Sequence, residues 1–126
     1  MKEGIHMNQK EKIIESYFKL SDLASNDNRS LNKIVHLFAN DAIVEGSNGF
    51  IGKDHDSIVN FFQNFFKDNK ELQHLCQVSI DEDCYKAEWS VAGRKNNGKL
   101  FALHGYDTYK FDKQNKIKFL QVKITK

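Results

Sequence analysis

The sequence predicts an α+β fold in which three N-terminal helices pack on a curved antiparallel β-sheet. Three observations carry this expectation. Apolar residues recur at helical spacing only in the first half of the chain, in three segments that end near Asp68. From Leu72 onward, four long runs alternate with period two and are joined by short polar turns, which makes an antiparallel meander. The chain has 126 residues, a length that suits one domain and buries about two-thirds of its unfolded surface, enough for one core. Strands this long curl, and the helices must then cover the concave face.

Taken in order, residues 1–7 are set apart as an N-terminal extension, because His6-Met7 reads as a cloning junction and Met7 as a native start. Residues 8–126 form the single domain. The first helix is expected over 8–25, with Ile13, Tyr17, Leu20 and Ala24 on its apolar stripe and Ile14 and Phe18 widening it. The Tyr17 hydroxyl then points inward and needs a partner, either a backbone carbonyl in the core or something in a pocket. Ser30 reads as the N-cap of a second short helix with Leu31, Ile34, Val35 and Phe38 inward. A turn at Asn40-Asp41 leads into a strand over 42–45. Asn48-Gly49 signals a hairpin, returned by Phe50 and Ile51. Asp54 caps a third helix carrying Ile58, Phe62, Phe65 and Phe66, an aromatic stripe that serves as core and covers the mouth of the sheet. Strands follow over 72–80, 84–95, 99–111 and 116–125.

Composition narrows the function classes. Net charge is +2 and the lysines are scattered, so no nucleic-acid partner is expected. No apolar run approaches membrane-spanning length, so no membrane partner is expected either. Cys76 and Cys84 flank a turn and would fit a hairpin disulfide. Two free thiols in a reducing cytoplasm is the expected state, and the location is taken as cytoplasmic. The spacing of Cys and His supports no zinc site, and no metal or cofactor is expected.

Asp107 is the residue on which a functional reading turns. Period two places it with Phe101, Leu103, Gly105, Tyr109 and Phe111 on one face of its strand, beside a glycine that leaves space. An acid on such a face must be paired, hydrogen-bonded or protonated. An acid in an apolar cavity with a phenol nearby is a recurring device for proton chemistry. His74 shares a face with Leu72, Cys76, Val78 and Ile80, as a pocket residue or a structural one. The opposite face of the Asp107 strand, with Ala102, His104, Tyr106 and Thr108, is semi-apolar, and a second copy of the chain is its simplest partner.

Two stretches resemble a known family. They are Leu37-Phe38-Ala39-Asn40-Asp41-Ala42-Ile43-Val44-Glu45-Gly46 followed by Phe50-Ile51-Gly52-Lys53-Asp54, and Gly105-Tyr106-Asp107-Thr108-Tyr109-Lys110-Phe111-Asp112 followed by Lys116-Ile117. They are similar to the SnoaL-like, or NTF2-like, group, and the resemblance spans 8–125. It implies a cone-like α+β domain with a pocket between sheet and helices, and a homodimer through the outer sheet face. Family members include polyketide cyclases, steroid isomerases, epoxide hydrolases and dehydratases, and also binding domains without catalysis. In the ketosteroid isomerases a Tyr on the first helix and a protonated Asp on a long strand hold the dienolate oxygen while a second Asp moves the proton. Tyr17 matches that Tyr and Asp107 matches the oxyanion-hole Asp. The position of the base corresponds to Gly46, and the neighbouring Glu45 points to the opposite face. This argues against steroid isomerase activity as such.

Two readings result. In the first, the protein binds a small, partly apolar molecule and acts as a cofactor-free isomerase, cyclase or dehydratase beside a carbonyl. Asp107 and Tyr17 stabilise an oxyanion, His74 is the candidate base, and Trp89, Tyr109, Phe62, Leu103 and Gln121 line the site. In the second, the domain is a non-catalytic dimeric binding or scaffolding module whose pocket is filled by side chains. A cavity of a few hundred cubic ångströms reaching Asp107 favours the first. Filling of that space by Phe62, Phe66 and Trp89 favours the second.

Overall fold

A computed structural model of the chain describes residues 8–125, so the extension expected at 1–7 lies outside the described residues. Capping signals set the helix starts. Helix α1 spans Gln9–Ala24, and Asn8 caps it: Asn8 Oδ1 accepts from the Glu11 amide while the Glu11 carboxylate accepts from the Asn8 amide, so two otherwise unpaired donors are satisfied. Helix α2 spans Asn28–His36 and its cap is Asp27, not Ser30. Asp27 accepts from the Arg29 amide and the Ser30 hydroxyl. A carboxylate at this position outcompetes the hydroxyl three residues on, because it is charged and faces the positive end of the helix. Helix α3 spans His55–Asp68 and is capped by Asp54, which accepts from the Ser57 amide, as expected.

The strands are β1 (Phe38–Glu45), β2 (Ile51–Gly52), β3 (Asn69–Asp81), β4 (Cys84–Lys95), β5 (Leu100–Phe111) and β6 (Ile117–Ile124). They form one six-stranded sheet in the order β2-β1-β6-β5-β4-β3. The meander β3 to β6 is antiparallel as the alternation predicts. Two features differ from expectation. Strand β1 pairs parallel to β6, so the sheet is mixed at that edge. Asn40-Asp41 is not a turn: β1 starts at Phe38 and runs through it, with a register shift between Phe38 and Ile43. Pairing with β6 supplies partners on both sides of the irregularity, which overrides the local turn signal.

All three helices pack on one face. Ile14 and Phe18 of α1, Ile34 of α2, and Ile58, Phe62 and Phe66 of α3 are buried in one cluster with Val44, Ala87, Val91, Tyr109 and Leu120 of the sheet. Among the described residues no element covers the outer face, and Leu75 is 79% exposed there, with Tyr106 also in solvent. His104 on this face contacts Glu88 and Thr125 through its two ring nitrogens. Cys76 and Cys84 are free thiols. Among the described residues no helix is long and apolar enough to cross a membrane.

The β4–β5 hairpin turns through Asn96–Gly98, with the Lys95 amide donating to the Lys99 carbonyl at 2.8 Å. This turn fixes the register, and Trp89 falls opposite Gly105 while Ala87 falls opposite Asp107. The Trp89 indole lies over Gly105, and a Cβ there would sit 2.4 Å from Trp89 Cζ2 and 2.4 Å from the Lys123 carbonyl oxygen. The second of these neighbours is backbone and cannot swing away. Gly105→Ala is therefore expected to cost about 1–3 kcal/mol of stability through overpacking. Urea denaturation measures it, and the accompanying change in Trp89 emission shows the indole displaced.

Candidate functional site

Between the helices and the sheet lies a cavity of about 360 Å³, within the range of small-molecule sites. Its polar lining includes Tyr17 from α1, His74 from β3, Trp89 from β4 and Asp107 from β5. Phe62 and Trp89 line this space and leave it open, and Phe66 is packed in the core away from it.

Asp107 forms the floor and is 2% exposed. Its Oδ1 accepts from the Trp89 indole nitrogen at 2.8 Å, and its Oδ2 accepts from the Tyr109 hydroxyl at 2.7 Å. Burial pushes its carboxyl up to about 7, and the two hydrogen bonds pull against that shift by favouring the charged form. The group therefore changes protonation near neutral pH, where an ordinary Asp is fully ionised. Tyr109 is fully buried, and burial followed by the Asp107 charge holds its phenol protonated.

Tyr17 sits above this pair, its ring 6.2 Å from that of Tyr109 and 6.0 Å from that of Phe62, both edge-on. Burial and then the Asp107 charge raise its phenol well above the ordinary range. Its hydroxyl makes no hydrogen bond among the described residues, and Asp107 takes its two bonds from Trp89 and Tyr109 instead. Tyr17 is therefore not hydrogen-bonded to Asp107, and it presents a neutral donor to the cavity.

His74 is held by a residue that sequence reasoning missed. Asp22 Oδ1 accepts from His74 Nδ1 at 2.7 Å and from the His74 backbone amide at 2.9 Å. A carboxylate only accepts, so Nδ1 carries the proton and Nε2 carries the lone pair. Burial lowers the His74 pKa, partly offset by the hydrogen bond and charge of Asp22, so the ring is neutral at neutral pH. The one sequence signal for Asp22 is its place four residues after Phe18, on the flank of the apolar stripe of α1. Cys76, paired across the sheet with Trp89, is no nucleophile: burial first, and then nearby carboxylates, push its thiol up to about 11.

The remaining sequence candidates divide. Leu103 lines the cavity. Tyr109 does not reach it and lies beneath Asp107 as a hydrogen-bond donor. Gln121 is on the outer face: its Nε2 donates to Glu45 Oε1 at 3.0 Å, and it pairs with Glu45 in the parallel β1–β6 ladder. Period two decides this, because Leu120 and Val122 point inward and Gln121 between them cannot. Glu45 is directed away from the cavity as expected, and Gly46 lines it without a side chain. Among the described residues no cluster of three or more His, Cys, Asp or Glu is placed to hold a metal ion.

No family model matches the chain, and no curated protein is significantly similar to it in sequence. Solved structures are similar over most of its length. An NTF2-like protein of unknown function from Exiguobacterium sp. 255-15 is 22% identical with a TM-score of 0.83, covering 90% of this chain and 98% of that one. A candidate polyketide cyclase from Xanthomonas campestris pv. campestris is 13% identical with a TM-score of 0.79, covering 92% and 90%. The epoxide hydrolase/cyclase-like enzyme SalBIII, of pyran ring formation in the polyether salinomycin, is 14% identical with a TM-score of 0.78, covering 93% and 91%. At these identities the likeness is one of fold: the chain has the NTF2-like, SnoaL-like α+β fold.

The shift at Asp107 has a consequence for stability. Its native value is about 7 against an ordinary 3.8, so between these values the native state holds a proton that the unfolded chain has released. Unfolding free energy attributable to Asp107 therefore falls as pH rises from about 4 to about 7 and levels off above, a loss on the order of a few kcal/mol. Asp107→Asn keeps an acceptor for Trp89 and removes the titration. Urea denaturation of both proteins across this window is expected to show the variant gaining on the wild type with rising pH.

Proposed function

We propose that the cavity binds a small, largely apolar carbonyl compound and moves a proton beside the carbonyl without a cofactor, in an isomerisation, cyclisation or dehydration. The observation that carries the reading is that a neutral imidazole held by a carboxylate, an unpartnered phenol and a carboxyl titrating near neutrality all line one cavity. The fold is shared with a candidate polyketide cyclase and an epoxide hydrolase/cyclase-like enzyme, which supports the reading by analogy of fold only.

Each group has a role that its environment allows. His74 Nε2 takes a proton from the carbon beside the carbonyl, and Asp22 steadies the imidazolium that forms. Charge then develops on the carbonyl oxygen, where the Tyr17 hydroxyl donates. Asp107 in its protonated form is the second donor. A carboxyl oxygen pair offers about four acceptor sites and Trp89 and Tyr109 use two, so protonation leaves both supporting bonds in place. The base thus enters from α1 and β3, on a different wall from Gly46. The competing reading, a pocket plugged by side chains, is disfavoured by the open space bounded by Phe62 and Trp89.

Deuterium exchange at the carbons beside the carbonyl of cyclohexanone and 2-heptanone, followed by NMR in D₂O, tests the chemistry without knowledge of the natural substrate. The wild type is expected to accelerate exchange over buffer. His74→Gln is expected to lose about 10²-fold or more of that acceleration, and Tyr17→Phe about 10²-fold. In Asp22→Asn the acid limb of the rate profile moves to lower pH, because the carboxylate that favours the imidazolium is gone. Exchange no faster than buffer, or full rate in His74→Gln, contradicts the proposal.

A further inference from the structure

The titratable groups of the cavity lie deep, and its exposed lining is apolar except for Ser47 and Asn48. Asp107 and Trp89 are 2% and 7% exposed, and the His74 side chain 9%. Phe65 of α3, Leu103 of β5 and Ile124 of β6 line the same cavity at 38%, 39% and 40% exposure. Single exposed apolar side chains are ordinary on any protein surface. Here three, from three separate elements, line the mouth of one cavity, and the two exposed polar residues beside them accept from backbone, Ser47 Oγ from the Ile124 amide and Asn48 Oδ1 from the Phe50 amide. The interior of about 360 Å³ equals the liquid volume of roughly a dozen water molecules. It holds a carbonyl head with a tail of about ten carbons at most, and anything longer must pass the rim.

Charge makes a second, independent restriction. Among the described residues no Lys or Arg lines the cavity, and its one carboxyl is Asp107. His74, kept neutral by burial, supplies no cation. A ligand carboxylate or phosphate seated at the floor would be desolvated next to an acid with nothing to neutralise it.

From these two features we infer that the ligand is an uncharged amphiphile. Its carbonyl head sits at Asp107 and its hydrocarbon tail leaves between Phe65, Leu103 and Ile124, while free carboxylates and phosphorylated compounds are rejected. The inference rests on the reading of this cavity as a ligand site and adds the class and orientation of what enters it.

The chain has one tryptophan, Trp89, and it lies in the cavity, so its fluorescence reports occupancy directly. Titration at pH 6, where Asp107 is mostly protonated and alkyl carboxylates are still ionised, with methyl ketones from 2-pentanone to 2-tridecanone, and with straight-chain carboxylates of matching length, separates the outcomes. Ketone affinity is expected to rise about fourfold per added methylene, and each carboxylate to bind at least tenfold more weakly than its ketone. Leu103→Ser is expected to weaken 2-tridecanone more than 2-pentanone, since only the longer tail reaches the rim. Carboxylates that bind as tightly as ketones, or an affinity independent of chain length, overturn the inference and leave the cavity a ligand site. Failure of both series to bind overturns the inference and the underlying reading together.

Discussion

Removing a carboxyl group from water is costly unless hydrogen bonds replace the lost solvation, and the architecture around Asp107 is arranged to supply them. Trp89 donates from the neighbouring strand and Tyr109 from two residues along the same strand. Trp89 reaches Asp107 only because Gly105 leaves room for its ring, and only because the β4–β5 hairpin holds these residues in register. Tyr109 donates only because it is locked in the core with no exposed surface. A one-residue slip between β4 and β5 would turn Trp89 outward and leave Asp107 buried with half of its support gone.

The support is deliberately incomplete in energetic terms. Two neutral donors do not cancel the cost of burial, so the carboxyl rises to about 7 and stays protonatable under ordinary conditions. A cation in place of Trp89 or Tyr109 would have held it ionised. On another wall the opposite balance holds: Asp22 raises the proton affinity of His74, but burial outweighs it and leaves the ring a neutral base. One carboxyl that can hold a proton and one imidazole that can take one face the same apolar space. Separated acid and base of this kind follow from environment rather than from residue type.

Much of the fold was legible because it is written in local signals. The helical stripes, the Asp54 cap, the Asn48-Gly49 hairpin and the four alternating runs are each decided within a few residues. The register of Trp89 against Gly105 also follows from the three-residue turn at Asn96–Gly98, so the Trp89–Asp107 bond was within reach of the sequence. What was not legible is non-local. The parallel pairing of β1 with β6 joins residues about 75 positions apart and turned the expected break at Asn40-Asp41 into strand. Asp22 and His74 are 52 residues apart, and nothing near either announces the other. Gln121 was misplaced for a simpler reason, since strict alternation from the buried Leu120 sends it outward. Tyr17 was placed correctly on its helix, but its lack of a hydrogen-bond partner among the described residues was not legible, because a sequence gives the direction of a side chain more readily than its reach.

The central claim is that a single buried acid, Asp107, titrates near neutrality while bonded to Trp89. The chain's one indole N–H is donated to that carboxyl, so its ¹H–¹⁵N resonance moves as the acceptor changes charge. Following this resonance by NMR from pH 3.5 to 9 measures the claim directly. The account predicts a transition with a midpoint near 7 that disappears in Asp107→Asn. A midpoint close to that of an ordinary Asp, near 4, would show the acid ionised throughout the working range and would contradict it.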